Sequence, residues 1–236
     1  MTWGVVTFPG SNCDRDCVHA LRSVLNQSVE AVWHEDRTLA GLDAIVLPGG
    51  FSYGDYLRAG AIAATAPVMS AVREFAAAGR PVLGICNGFQ ILTEVRMLPG
   101  TLVRNEELRF RCRPVWVRVE SSATPFTSEI PDGTVLQIPI AHAEGGYRAS
   151  ASDLAELGAG GRVVFRYCDR RGRVTREANP NGSVDAIAGV ASAGGNVVGL
   201  MPHPERASEA LLGSADGRRI FESVIASLSA RMERVS

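Results

Sequence analysis

The sequence contains no lysine: all 24 of its basic residues are arginine. Lysine supplies the phosphate contact of a P-loop, the Schiff base of pyridoxal-phosphate enzymes and, in some active sites, the general base. None of these chemistries is open to a chain without lysine. The composition therefore argues against a kinase or a P-loop ATPase.

Long apolar runs and an excess of one charge are lacking as well. No apolar stretch approaches the roughly 18–20 residues that cross a bilayer, and residues 1–6 carry no secretory signal. The net charge is −1 over 236 residues, so neither nucleic-acid phosphates nor an anionic membrane would attract the chain. We therefore expect a cytoplasmic protein that binds neither nucleic acid nor membrane.

Cysteine is scarce, and its count of five is odd. In a chain without an export signal, reduced thiols are the default state. Cys13 and Cys17 lie one helical turn apart with His19 nearby, but no second ligand pair has the spacing of a zinc site. We expect these two cysteines to be buried apolar thiols, and we expect no metal ion.

The first half of the chain alternates short β-branched segments with helical segments, which predicts a parallel sheet covered by helices. The predicted strands are 2–8, 29–33, 44–47 and 81–85. The predicted helices are a first one capped by Ser11 or Asn12, followed by 67–78 and 89–95.

The second half changes character, because strands follow one another closely. The predicted strands are 113–120, 135–140, 163–168, 184–191 and 196–201, and a helix at 217–232 closes the chain. Strand beside strand predicts an antiparallel or mixed section added to the parallel core. Since the glycine-rich segments are too short for linkers, we expect one α/β domain over residues 1–236.

The sharpest local motif is Gly84-Ile85-Cys86-Asn87-Gly88, which lies between a predicted strand and a predicted helix. A nucleophile on such a turn adopts a strained conformation and needs small residues two places away on both sides. The helix N-terminus would stabilise a thiolate, and the backbone N–H of Asn87 would point at a developing oxyanion. The same motif also suits a tight turn with a buried cysteine.

A nucleophilic cysteine needs a base, and His203 is the best placed of the four histidines. It follows a predicted strand, prolines flank it on both sides, and Glu205 lies two residues on, within reach to orient the imidazole. We interpret His19 and His34 as structural. His142 follows another strand and suits either a second site residue or a loop-capping residue.

Three motifs together resemble the class I, triad-type glutamine amidotransferases. They are Pro48-Gly49-Gly50, Gly84-x-Cys86-x-Gly88-x-Gln90 and His203-Pro204-Glu205, in the order and spacing of that family across nearly the whole chain. The resemblance implies Cys86 as nucleophile, His203 as general acid and base, and Glu205 as its orienting partner. It implies an oxyanion hole from Gly49, Gly50 and the N–H of Asn87. The substrate would be L-glutamine, with Gln90, Phe51 and His142 as binding residues.

Segments 8–14, 49–63, 179–183 and 201–206 narrow the resemblance to the glutaminase subunits of one ATP-dependent carbon–nitrogen ligase. In that group the glutaminase chain uses no cofactor. A large synthetase subunit uses ATP and Mg, a small third subunit bridges the two, and ammonia passes between subunits. The loop with Asp55, Tyr56 and Arg58 would then face the synthetase, or it would pack the neighbouring turn. The chain departs from the pattern at Ala143, where glycine is expected, and at Gly146, where arginine is expected.

Two other classes remain as alternatives. In α/β-hydrolases the acid usually precedes the histidine by a long stretch, whereas Glu205 follows His203 by two residues, and peptidase-like relatives place a histidine where this chain has Asn87. An inactive scaffold subunit would have lost a member of the triad, and all three are present. Both comparisons favour the amidotransferase.

Overall fold

The first half of the chain alternates strands and helices, as predicted. In the computed structural model, which describes residues 1–233, its strands are β1 Thr2–Thr7, β2 Ser28–Trp33, β3 Ala44–Leu47 and β4 Val82–Ile85. Its helices are α1 Asp14–Val18, continued by a π-helical segment His19–Val24, then α2 Val68–Ala77 and α3 Asn87–Glu94.

The second half is dominated by strands. They are β5 Thr101–Val103, β6 Arg111–Val119, β7 Val135–His142, β8 Gly146–Arg148, β9 Val163–Cys168, β10 Ile187–Ala191 and β11 Val197–Leu200. The helices are α4 Ala151–Ala159 and α5 Arg218–Glu233.

Within residues 1–233, nine strands form one sheet in the order β2-β1-β3-β4-β11-β10-β9-β6-β7. The strands from β2 to β11 in this order are parallel, and the remaining pairings, from β11 to β7, are antiparallel. Strands β5 and β8 pair separately. The predicted class, a mainly parallel α/β sheet with an added antiparallel section, is confirmed.

The centre of the sheet is apolar on both faces. Every residue of β3 and β4 is buried, as expected for parallel strands that helices cover on both sides. Among residues 1–233, no helix has the length and apolar character needed to cross a membrane.

Four local features differ from the sequence prediction. The predicted strand 184–191 begins only at Ile187, because Val184–Ala186 form a short 3-10 helix in which Asp185 and Ala186 have positive φ. Helix α4 was not predicted, because its last residues belong to a glycine-rich segment interpreted as a turn, and β5 and β8 are too short to give a periodic signal. The cap of α1 was also wrong: Cys13 is the N-cap residue and makes no side-chain cap bond. The Ser11 hydroxyl instead accepts a hydrogen bond from the N–H of Phe8 at 3.1 Å.

Strand order determines where the site lies. Strand β4 pairs in parallel with β3 on one side and with β11 on the other. Because the carboxyl ends of neighbouring parallel strands meet at one edge of a sheet, the loops after β3, β4 and β11 converge there. These loops begin at Pro48, Cys86 and Met201, so the three motifs of the sequence come together.

Candidate active site

Cys86 occupies a strained turn between β4 and α3. Its backbone has φ 50° and ψ −103°, a region that residues with a side chain rarely adopt. A Cβ added to Gly84 would lie 2.8 Å from the carbonyl oxygen of Gly88, and one added to Gly88 would lie 1.9 Å from that of Leu47. Both glycines are therefore required by close backbone contact, which confirms the physical reason for the motif.

His203 and Glu205 form a buried pair beside this turn. The Nδ1 atom of His203 lies 2.7 Å from Oε1 of Glu205, and each residue is 1% exposed. Burial alone would lower the pKa of His203, but the Glu205 carboxylate and the adjacent thiols of Cys86 and Cys13 raise that pKa well above its usual range. The imidazole is therefore held in its protonated form, next to the sulfur of Cys86.

A small pocket of about 80 Å³ opens onto Cys86. It is lined by Gly50, Phe51, Asp55, Cys86, Gln90, Ala141, His142, Ala143 and Glu144. Pockets for drug-sized ligands have roughly 300–1,000 Å³, so this one suits a group as small as a side-chain carboxamide. It brings together Cys86, the predicted nucleophile, and the three predicted substrate-binding residues, Gln90, Phe51 and His142.

The Gly49-Gly50 turn packs against the His203–Glu205 pair and against the loop that follows β1. A Cβ on Gly49 would lie 2.6 Å from Cε1 of His203, and Gly50, at φ 142°, would bring a Cβ to 2.8 Å from the backbone nitrogen of Asn12. Helix α3 begins at Asn87, so the N–H groups of its first turn have no acceptor within the helix. Both predicted sources of oxyanion donors thus border Cys86.

The side chain of Asn87 was not singled out from the sequence, and it joins the turn to its surroundings. Its Oδ1 accepts from the N–H of Ser52 at 3.1 Å, and its Nδ2 donates to Oε1 of Gln90 at 2.9 Å. The Nε2 of Gln90 in turn donates to the carbonyl oxygen of Glu144 at 2.7 Å. This chain of hydrogen bonds fixes Gln90 across the pocket.

His142 belongs to a second buried network, with Asn105 and Asn181. The Oδ1 of Asn105 lies 3.1 Å from Nδ1 of His142 and accepts from the N–H of Gly145 at 3.0 Å. Asn181 donates to the carbonyl oxygen of Gly145 at 2.8 Å. Burial lowers the pKa of His142 to about 3, and the charge of His203 adds to this effect. His142 is therefore neutral. It lines the pocket, and the network that it shares with Asn105 stabilises the loop that follows β7.

The two departures from the family pattern lie in this loop. The carbonyl oxygen of Ala143 accepts from the N–H of Asn105 at 2.8 Å, a contact that any residue can make. A Cβ on Gly146 would lie 3.1 Å from the carbonyl oxygen of Asn181. The loop is thus held by this backbone contact and by the side chains of Asn105 and Asn181, and the alanine at position 143 does not disturb either.

The remaining histidines contact groups outside the pocket, as expected. Nε2 of His19 lies 2.9 Å from Glu209, and Nδ1 of His34 lies 2.7 Å from the hydroxyl of Tyr53. For Cys13, in contrast, the expected apolar environment was wrong. Cys13 is buried, but its sulfur accepts from Nη2 of Arg206 at 3.2 Å.

Two carboxylates border the pocket, and no cation lines it among the residues that the structure describes. Burial raises the pKa of Asp55 to about 6, and the nearby negative charge of Glu144 adds to the increase, while a hydrogen bond from Asn87 opposes it. The pocket thus favours a positive group near Asp55.

A larger cleft of about 490 Å³ lies beside β6 and the segment after β9. It contains the thiol of Cys168, but burial raises the pKa of that thiol to about 11. No histidine is among the described residues that line it. The thiol in this cleft is therefore protonated and has no histidine beside it among the described lining residues.

The fold and the site define a class of protein, the triad-type glutamine amidotransferases. A family model described as the CobB/CobQ-like glutamine amidotransferase domain matches residues 3–223, and the chain belongs to that class.

Relatives of higher sequence identity assign the chain to one family within this class. The phosphoribosylformylglycinamidine synthase subunit PurQ of Thermomicrobium roseum is 58% identical over 225 residues, which cover 95% of each chain. That of Methanosarcina acetivorans is 56% identical over 224 residues, 95% of this chain and 97% of the relative. A chain in the structure of PurLQS from Thermotoga maritima superposes with a TM-score of 0.85 at 42% identity, covering 96% of this chain and 98% of that one. The chain belongs to the PurQ family.

Proposed function

We propose that this chain is the glutaminase subunit of phosphoribosylformylglycinamidine synthase. It hydrolyses glutamine to glutamate and ammonia, and the ammonia converts formylglycinamide ribonucleotide to formylglycinamidine ribonucleotide on a synthetase subunit, in purine biosynthesis. The observation that carries the proposal is that Cys86, on its strained turn, lines a small pocket together with Gly50, while the buried His203–Glu205 pair lies next to its sulfur.

In the first half of the reaction, the Cys86 sulfur attacks the side-chain carbonyl carbon of glutamine. The carbon–oxygen double bond opens to an oxyanion, which accepts hydrogen bonds from the Asn87 N–H and the Gly49-Gly50 turn. Loss of one such donor costs about 3–4 kcal/mol of barrier. His203 then gives its proton to the amide nitrogen, the carbon–nitrogen bond breaks, and ammonia leaves a glutamyl thioester on Cys86.

In the second half, water replaces ammonia. Neutral His203 takes a proton from water, whose oxygen attacks the thioester carbon. The carbon–sulfur bond breaks and returns the electron pair to Cys86, glutamate leaves, and His203 is again protonated. Glu205 holds the imidazole in the correct orientation throughout and stabilises its charge.

The ATP-dependent step belongs to a partner in this proposal. The chain has no lysine and no phosphate-binding motif, so we assign ATP and Mg to a large synthetase subunit, and we assign a bridging role to a small third subunit. Exposed apolar residues beside the pocket support a docking surface there: Tyr56 is 74% and Leu57 91% exposed, and Leu108 and Phe110 project from the segment after Asn105.

Reversal of the charge at Arg58 should weaken association with the synthetase subunit. Arg58 is largely exposed on the same loop as Tyr56, and its Nε donates to Oε1 of Glu94 at 2.7 Å. We expect Arg58→Glu to raise the dissociation constant of the complex about tenfold, with the melting temperature of the isolated chain little changed. Analytical titration of labelled chain with synthetase measures the effect.

A double variant, Arg58→Glu with Glu94→Arg, distinguishes contact of Arg58 with the synthetase from its internal ion pair with Glu94. It restores the internal ion pair but places the arginine on α3 instead of on the loop. Weak association in both variants supports docking through the loop. Full recovery in the double variant would mean that Arg58 only packs the turn.

Asp55 should bind the α-ammonium group of glutamine. An ammonium next to Asp55 and Glu144 would restore the ionised state that burial disfavours. We expect Asp55→Asn to raise the KM for glutamine about tenfold, which corresponds to about 1.4 kcal/mol. In the unaltered chain, KM should rise as the pH falls through about 6, because Asp55 becomes protonated and loses its attraction for the ammonium.

Asp132→Asn is the matched control, since Asp132 is exposed in the turn before β7. It should leave KM and its pH dependence unchanged. A KM for Asp55→Asn that equals that of the control would exclude the ammonium contact.

The function is tested by measuring glutamate release from the chain mixed with its cognate synthetase subunits, with and without ATP and formylglycinamide ribonucleotide. Stimulation by these ligands is the expected result. Glutamate release that does not respond to these ligands would support glutaminase activity but contradict the assignment to this synthetase. No glutamate release under any condition would contradict the glutaminase activity itself.

A further inference from the structure

The loop that follows β1, residues 9–13, is joined to the Gly49-Gly50 turn by backbone hydrogen bonds, and the proposed mechanism gives this loop no role. The N–H of Cys13 donates to the carbonyl oxygen of Gly49 at 3.3 Å. The N–H of Phe51 donates to the carbonyl oxygen of Gly10 at 3.1 Å. One bond lies on each side of Gly50, so the position of Gly50 depends on the loop.

The first of these bonds determines which way the Gly49–Gly50 peptide faces. This peptide bond is trans, and in a planar trans peptide the C=O and N–H groups point in opposite directions. Because the carbonyl oxygen of Gly49 faces the N–H of Cys13, the N–H of Gly50 points away from the loop. Among the described residues this N–H donates to no acceptor, and Gly50 lines the pocket beside Cys86.

The second bond removes a competing donor from the turn. The N–H of Phe51 is already bonded to Gly10 and so does not face the pocket. Gly10 itself has φ 87°, and a Cβ on it would lie 2.3 Å from the carbonyl oxygen of Phe51. The loop and the turn are therefore in direct backbone contact, and only glycine fits at position 10 without displacing the turn.

The side chain of Cys13 anchors the loop to the segment that carries His203. Its sulfur accepts from Nη2 of Arg206 at 3.2 Å, and its thiol donates to Oδ1 of Asn12 at 3.3 Å. A Cβ on Gly49 would lie 3.1 Å from the same sulfur. The loop thus contacts the turn through its backbone and the His203 segment through a side chain.

We propose that the loop of residues 9–13 positions an oxyanion donor. Gly10 and Cys13 hold the Gly49–Gly50 peptide so that the N–H of Gly50 points at the oxyanion that forms next to Cys86. A donor held in this way needs no reorganisation as charge develops. The reversed peptide would instead present the carbonyl oxygen of Gly49, which repels an oxyanion. Gly10 and Cys13 are positioning residues, because they act through Gly50.

The orientation of the peptide does not depend on the proposed function, whereas its effect on catalysis does. The full chain is labelled with glycine that carries ¹⁵N and a ¹³C carbonyl carbon, so that only Gly–Gly peptides give a correlated NMR signal. These peptides are 49–50, 145–146, 160–161 and 194–195. The 160–161 peptide lies outside the pocket and is the internal reference.

Cys86 is then allowed to react with 6-diazo-5-oxo-norleucine, whose ketone oxygen stands in for the amide oxygen of glutamine. We expect the N–H of Gly50 to exchange rapidly with solvent in the free chain and at least about tenfold more slowly in the adduct, with a shifted signal. An unchanged Gly50 signal in the adduct would overturn the proposal. Failure of the adduct to form would contradict the proposed function instead, and the variants below then decide the orientation.

Gly10→Ala should displace the turn, and Gly41→Ala is its matched control. Gly41 has φ 82°, close to that of Gly10, but a Cβ on it meets no atom within 4 Å. We expect Gly10→Ala to move the Gly49–Gly50 signal in the free chain and to lower kcat for glutamine about 10²-fold, with a much smaller change in KM. Gly41→Ala should change neither.

Alkylation of Cys86 by iodoacetamide separates positioning from general damage, because this displacement forms no oxyanion. Its rate is followed at the Cys86 peptide by mass spectrometry. In Gly10→Ala we expect a rate within about twofold of normal. Equal effects of the two alanine variants on the Gly49–Gly50 signal and on kcat, or a loss of alkylation in Gly10→Ala as large as the loss of kcat, would overturn the proposal.

Discussion

Replacement of Cys86 by alanine should abolish glutamine-dependent synthesis and leave ammonium-dependent synthesis intact. Without the sulfur no thioester forms, and loss of a nucleophile from such a triad lowers kcat by about 10⁴-fold or more. The synthetase step needs only ammonia, which free ammonium supplies. Formation of formylglycinamidine ribonucleotide by the assembled complex is measured with each nitrogen source in turn.

Cys112→Ala is the control, because Cys112 is an exposed thiol outside the pocket. It should support both reactions at the normal rate. If Cys86→Ala lost both reactions equally, the separation of glutaminase and synthetase between subunits would be wrong.

Replacement of Glu205 by glutamine should lower glutamine hydrolysis by about 10³–10⁴-fold. The amide keeps the volume of the carboxylate, but it removes the charge that stabilises the imidazolium and no longer enforces the proton on Nδ1. It also removes the main influence that raises the pKa of His203, whose burial then lowers it. Steady-state glutamate release as a function of pH measures both effects.

The pH profile distinguishes this role from a structural one. Ammonia departure needs protonated His203, so activity falls as the pH rises through the pKa of that residue. In Glu205→Gln this limb should move to lower pH. Glu209→Gln removes the carboxylate from another His–Glu contact, that with His19 at 2.9 Å, and should change neither rate nor profile. An unshifted limb in Glu205→Gln would contradict the role of Glu205.

The sequence predicted the strained turn at Cys86 because the requirements of such a turn are local. Gly84 and Gly88 are needed within a few residues of Cys86, and the close contacts in the structure show why. The separation of His203 and Glu205 by two residues is equally local. Their position beside Cys86 depends on β11 pairing with β4, an adjacency between segments more than a hundred residues apart that periodicity does not encode.

The supporting residues could not be predicted for the same reason. Asn105 and Asn181 reach His142 and Gly145 through contacts between distant segments, and an asparagine in a loop gives no signal of its own. Cys13 was interpreted as apolar because its polar neighbour, Arg206, is 193 residues away in the chain. Asn87 lay within the motif, but only its backbone N–H had an evident role.

The most direct test of the account is to locate the covalent adduct that a glutamine-analogue electrophile forms with the chain. The complex is incubated with 6-diazo-5-oxo-norleucine, and the modified peptide is identified by mass spectrometry. We predict one adduct, on Cys86, prevented by excess glutamine and absent from the Cys86→Ala variant. An adduct on Cys13 or another thiol, or one that persists in Cys86→Ala, would contradict Cys86 as the nucleophile.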